Sequence, residues 1–93
     1  MKIKISCDDE YESQKLASLI FIKDSNETYI TKILNVIENE VVVQLKDKSA
    51  HSILLKDDHQ VEIFADFIQS VIEKEHQIIS TKILSQDIEI VKE

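Results

Sequence analysis

No glycine and no proline occur anywhere in the 93 residues of this chain. Average usage would supply about 7% and about 5% of these residues. Glycine is the ordinary occupant of positive φ, so every tight turn here must be made by Asn, Asp, Ser or Lys. The unfolded chain also has less conformational entropy to lose than a glycine-rich one. The same absence removes whole chemistries. A phosphate-cradling loop, a dinucleotide fingerprint, an EF-hand turn and a nucleophile elbow all depend on glycine. Arginine and tryptophan are missing too, which takes away the planar fork for bidentate phosphate or carboxylate recognition. All four missing residues have G- and C-rich codons, whereas isoleucine (16 copies) and lysine abound. The pattern fits an AT-rich genome.

A chain of this length is expected to form one domain, residues 1–93, with an Ile/Leu/Val core. Dimerisation would be an ordinary way to add stability. The formal net charge of -7 argues against nucleic acid or an anionic membrane as a direct partner, since both demand clustered cations. Cys7 is the single cysteine, so no internal disulfide can form and a reducing, cytoplasmic setting is expected. Acids begin at Asp8, before any apolar stretch long enough for a secretory signal. No run approaches a membrane span.

Lys2–Cys7 alternates polar and apolar, the period of a half-buried strand. Asp9 with Glu12 has the form of a capping box, and Leu16, Leu19 and Ile20 follow at helical spacing, predicting a helix over 9–23. Ile20-Phe21-Ile22 suits a strand equally, so a strand over 16–23 stays open. Asp24–Glu27 reads as a polar turn. A hairpin follows, from Thr28–Ile37 through Glu38-Asn39 into Glu40–Leu45, with Tyr29, Ile33 and Ile37 on one parity. Asn39 is the residue expected at positive φ. After a turn at 46–49, Ser52–Lys56 reads as a strand. Asp57 with Gln60 repeats the capping pattern, and Val61, Phe64, Ala65, Ile68 and Ile72 mark one face of a helix over about 58–75. Ile63, Phe67 and Val71 widen that face, and Lys74 and His76 close the helix. Strands over 77–84 and 88–91 end the chain.

The fold class expected is therefore α+β: a mainly antiparallel sheet of about five to six strands with two helices on one face. Asp8-Asp9 and Thr31-Lys32-Ile33-Leu34 recur as Asp57-Asp58 and Thr81-Lys82-Ile83-Leu84, which would make two tandem βαββ units. Composition this narrow can also produce such identities by coincidence.

Nothing in the sequence selects a catalytic, cofactor or metal site. His51, His59 and His76 lie 8 and 17 residues apart, matching no ligand spacing, and read as surface imidazoles. Cys7 precedes three acids, which disfavour a thiolate, so it reads as a small core residue. An enzyme is not expected.

The remaining feature is acidity. Asp8, Asp9, Glu10 and Glu12 crowd the first helix start, and Asp57 and Asp58 the second. Glu62, Asp66 and Glu73 form a stripe along the second helix. Acids at helix starts commonly serve as caps and dipole partners, and an acidic face keeps an Ile-rich protein soluble. The functional expectation is an acidic module docking on a protein partner with a basic surface. That partner would be a nucleic-acid-handling protein, and the module an inhibitor of the phage or mobile-element anti-defence type. Alternatives are a homo-oligomeric assembly subunit, with Val41–Leu45 and Ile88–Val91 at sheet edges, or an immunity or antitoxin protein.

Overall fold

A computed structural model of the chain describes residues 1–22 and 27–93. The elements run β1 (Lys2–Ser6), α1 (Glu10–Ile20), β2 (Ile30–Ile37), β3 (Glu40–Leu45), β4 (Ala50–Leu54), α2 (Asp58–Ile72), β5 (Ile78–Leu84) and β6 (Asp87–Lys92). The α+β class, six strands and two helices agree with expectation. The strands form two antiparallel three-stranded sheets, ordered β1-β6-β5 and β2-β3-β4. A single antiparallel bridge, Cys7 to Leu55, links the ends of β1 and β4. Each helix contacts both sheets, α1 through β4, β5 and β6 and α2 through β1 and β2.

Both helices start on the expected aspartates. Asp9 and Asp57 have extended backbone, and their side chains accept from Glu12 N at 2.9 Å and Gln60 N at 3.0 Å. Both helices stop at the last apolar residue of their periodic face, about three residues short of the expected ends at 23 and 75. α1 ends at Ile20, and Phe21 turns extended so that Ile22 can bridge Glu27. The competing strand over 16–23 is thus excluded for residues 16–20. Of the turn expected at 24–27, residues 24–26 lie outside the described residues. α2 ends at Ile72 because Lys74 adopts φ 62. Glu75 N then donates to Ser70 O and Lys74 N to Val71 O, the paired bonds of a Schellman stop made without glycine.

Three further expectations are corrected. In the Glu38-Asn39 turn the positive φ belongs to Glu38 (55°). Asn39 is held instead by β4: its Nδ2 donates to Leu55 O at 2.6 Å and its own carbonyl accepts from Leu55 N at 2.9 Å. In β2, register shifts at Ile30/Lys32 and Ile33/Asn35 break the alternation. Ile30 is therefore buried, while Tyr29 and Ile37 are exposed. Finally, β3 and β6 are the middle strands, and the edges are β2, β4, β1 and β5. The middle strands supply the alternating buried pairs Val41/Val43 and Ile88/Ile90. With Ile5, Leu16, Ile20, Ile53, Leu55, Phe64 and Ile68 they make the aliphatic core.

The βαββ order occurs twice, and the two copies interlock. β1 corresponds to β4, α1 to α2, β2 to β5 and β3 to β6. Each three-stranded sheet is a hairpin from one half completed by the first strand of the other half. Hydrogen bonds repeat in pairs. Asp8 N to Leu54 O mirrors Lys56 N to Ser6 O, both 3.0 Å, and Lys46 N to Tyr29 O mirrors Glu93 N to Gln77 O. The positive φ of Glu38 is matched by that of Ser85 in the second hairpin. The equivalences are not the ones the sequence identities suggest. The caps Asp9 and Asp57 correspond, so Asp8-Asp9 aligns one residue off Asp57-Asp58. Ile30 corresponds to Ile78 and Ile37 to Leu84, which puts the two Thr-Lys-Ile-Leu runs out of step. The repeat lives in the topology, and those identities are coincidental.

Candidate protein-binding surface

The two segments run antiparallel through the Cys7–Leu55 bridge, so the acids of the two helix starts leave the crossing of β1 and β4 in opposite directions. Around the Cys7–Leu55 bridge, Ser6 N donates to Gln60 Oε1 at 2.8 Å, and Leu54 N donates to Glu12 Oε2 at 3.2 Å. The first turn of each helix is thereby tied to the end of the other half's first strand. A capping box would send the third helical side chain back to its own cap nitrogen. Here Glu12 and Gln60 reach across instead, satisfying two backbone N–H groups that lie beyond the last ladder bonds. Asp9 and Asp57 keep only the outgoing half of the box.

Of the nine acids expected to face a partner, Glu12 does not. It is 7% exposed, hydrogen-bonded to Leu54 and paired with Lys15 at 3.0 Å. Asp8, Asp9, Glu10, Asp57, Asp58, Glu62, Asp66 and Glu73 are all exposed. The ion pairs among the described residues are Lys2–Glu89, Lys4–Asp87, Lys15–Glu12 and Lys46–Glu27, so none of those eight is neutralised by an ammonium group. Asp58, Glu62 and Asp66 follow at i, i+4 and i+8, one line leading from the strand crossing along α2. Glu73, at its far end, accepts from Gln69 Nε2 at 3.0 Å. The first-turn acids also sit at the positive ends of the two helix dipoles.

Sequence reasoning missed Glu38. The β2–β3 hairpin lays it, with Asn39, in a shallow depression beside Asp57 and Asp58. The double grip of Asn39 on Leu55 is what brings this carboxylate there, and only the pairing of hairpin with β4 could have revealed it.

The remaining candidates stay apart. His51 approaches Ser49 Oγ at 3.1 Å, His76 Nδ1 lies 2.9 Å from Glu93 O, and His59 is exposed on the first turn of α2. Among the described residues no three His, Cys, Asp or Glu side chains are grouped to hold a metal ion. Cys7 is fully buried, and its thiol is pushed up to about 12, first by burial and then by Glu12, Asp87 and Asp9. Such a thiol is a packing group rather than a nucleophile. A cleft of about 460 Å³ lies between the start of β2 and the end of α2, with Thr28, Lys46, Lys74 and His76 on its walls. Glu27 beside it is held below the usual carboxylate range by its hydrogen bond and attraction to Lys46. No described helix is long and apolar enough to cross a membrane.

No protein-family model matches the chain, and no curated protein or solved structure matches it.

Proposed function

We propose that the chain is a small acidic binding module that docks on a basic surface of a nucleic-acid-handling protein and blocks it. The observation that carries this reading is the set of eight exposed carboxylates without an ammonium partner, with Asp58, Glu62 and Asp66 in line along α2. A Lys/Arg channel built for a polyanion attracts such a surface and orients it before contact. The mechanism is occupation: once docked, the module excludes the phosphate backbone from the same cations. An anti-defence protein of a phage or mobile element works this way in the host cytoplasm, and an antitoxin would do so against a basic toxin. Immobilised protein should capture a basic host protein at low salt and release it as salt rises. The released protein should bind nucleic acid when free and lose that binding when the module is restored. A captured complex that is indifferent to salt contradicts the reading.

A second reading, a self-assembling subunit, draws on the apolar side chains Leu34, Val36 and Ile37 of β2 and Ile79, Ile83 and Leu84 of β5. All are more than a third exposed, on strands that form sheet edges. Light scattering at two concentrations separates the two: a strict monomer removes the subunit reading.

A further inference from the structure

The interlocked halves have one covalent connection, the turn Lys46–Ser49 between β3 and β4. Every other contact between them is non-covalent. These contacts include the β1–β6 and β3–β4 ladders, the Cys7–Leu55 bridge, and the reciprocal bonds of Ser6 to Gln60 and Leu54 to Glu12. Any of them is made equally well by the corresponding half of another molecule.

The connecting turn is also poorly suited to its geometry. Lys48 sits at φ 74, where a Cβ crowds the backbone and glycine is the usual occupant. Ser49 is held to Asp47 Oδ1 through both its N–H and its hydroxyl, and Lys48 N donates to Leu45 O. Opening the turn gives up those local bonds, relieves Lys48, and leaves both ladders available to a second chain. Short hinges under strain favour this exchange over reversal.

We propose that the chain exchanges halves with a second copy of itself. In the exchanged dimer, β1-α1-β2-β3 of each molecule packs on β4-α2-β5-β6 of the other, with Lys46–Ser49 extended as the hinge. The dimer repeats the same ladders across two chains, so it differs from an edge-to-edge dimer and owes nothing to the acidic surface.

The Cys7–Leu55 bridge provides the test. Asp8 N to Leu54 O and Lys56 N to Ser6 O flank it, which makes it a non-hydrogen-bonded cross-strand pair. Such pairs hold their Cα atoms about 4.5 Å apart, within disulfide reach. The full chain carrying Leu55→Cys is refolded in glutathione redox buffer, where glutathione disulfide takes the two electrons as the thiols at positions 7 and 55 join. A closed monomer yields an intrachain crosslink, and exchanged halves yield a covalent dimer on non-reducing gels. The dimer fraction should rise several-fold when the refolding concentration is raised about a hundredfold. Crosslinked monomer at every concentration, or a dimer whose disulfides are all intrachain, overturns the proposal.

A second pair of variants leaves the core untouched. Deleting Asp47 and Lys48 should turn the native protein into a dimer by light scattering, whereas Lys48→Gly should lower the dimer fraction below that of the unaltered chain. Tagged and untagged deletion dimers should form hybrids only after denaturation and refolding. A monomeric deletion variant, or hybrids appearing on simple mixing, overturns the proposal equally.

Discussion

At the level of single residues, the missing glycine is replaced by strain. Glu38, Lys48, Lys74 and Ser85 all hold positive φ, a conformation that costs a residue with a Cβ roughly 1–2 kcal/mol. Lys74 is the clearest case because its Schellman bonds are complete. Lys74→Gly should therefore raise stability by about 1 kcal/mol in urea denaturation. A loss would mean that the Lys74 side chain contributes more than its backbone costs. Positive φ in a two-residue turn was legible from the glycine-free sequence, but its placement was not. Asn39 is the better αL residue by propensity, and its grip on Leu55 assigns the strain to Glu38 instead. Cys7 carries a pH signature. Its thiol is raised from 9.0 to about 12 in the folded protein, so above pH 9 the unfolded chain loses that proton first. Stability should fall as pH rises from about 9 towards 12, by up to about 1.4 kcal/mol per unit from this group. Cys7→Val should remove that part of the slope, seen as a flatter stability–pH curve than the parent protein over that window. Identical curves would show that the thiol does not titrate differently in the two states.

At the level of elements, caps and apolar periodicity were legible, and the partners of the capping side chains were not. Asp9 and Asp57 start helices as read. The third residue of each box serves the opposite half of the molecule, a non-local fact that local spacing cannot carry. Glu12 and Gln60 do equivalent work on Leu54 and Ser6. Glu12→Gln should therefore be nearly neutral, since it copies the amide already used at the symmetric position and loses only the Lys15 pair. Glu12→Leu should cost about 1–3 kcal/mol by stranding the N–H of Leu54. Equal losses from the two substitutions in thermal or urea unfolding would show that charge, not the hydrogen bond, matters there. Strand order was the least legible feature. Periodicity places a side chain on a face but says nothing about neighbours, and the bulges of β2 hid its parity.

For the whole molecule, the sequence suggested a repeat through the wrong residues. Chain topology, not identity, carries it: first strand, helix and hairpin recur, and each first strand completes the other half's sheet. The chain ends lie side by side, with Met1 N donating to Lys92 O at 2.9 Å and Lys92 N to Met1 O at 2.8 Å. A circular permutant should therefore fold to the same structure. Its old ends are joined through an Asp-Lys linker that copies the β3–β4 turn, and its new ends open between Asp47 and Lys48. Its stability should lie within about 2 kcal/mol of the parent, because backbone at exposed turns is the tolerant place for new ends. A permutant that folds only as an altered structure by circular dichroism and NMR would show that the two crossings are not equivalent. Eight of the nine carboxylates are exposed, as their positions at helix starts and on the polar face of α2 suggest, and the burial of Glu12 was not legible, because it depends on β4.

The claim that these eight carboxylates form the docking surface is tested most directly by neutralising four of the exposed ones that cap no helix. Asp8→Asn, Asp58→Asn, Glu62→Gln and Asp66→Gln together leave Asp9 and Asp57 in place. The measurement is the affinity for the captured basic partner as a function of salt, taken beside a control in which Glu89→Gln and Asp87→Asn remove charge from the β6 face. Weaker binding and a shallower salt slope are expected for the helix set, with the control close to the parent protein. Unchanged affinity and slope in the helix set, or an equal loss in both, would contradict it.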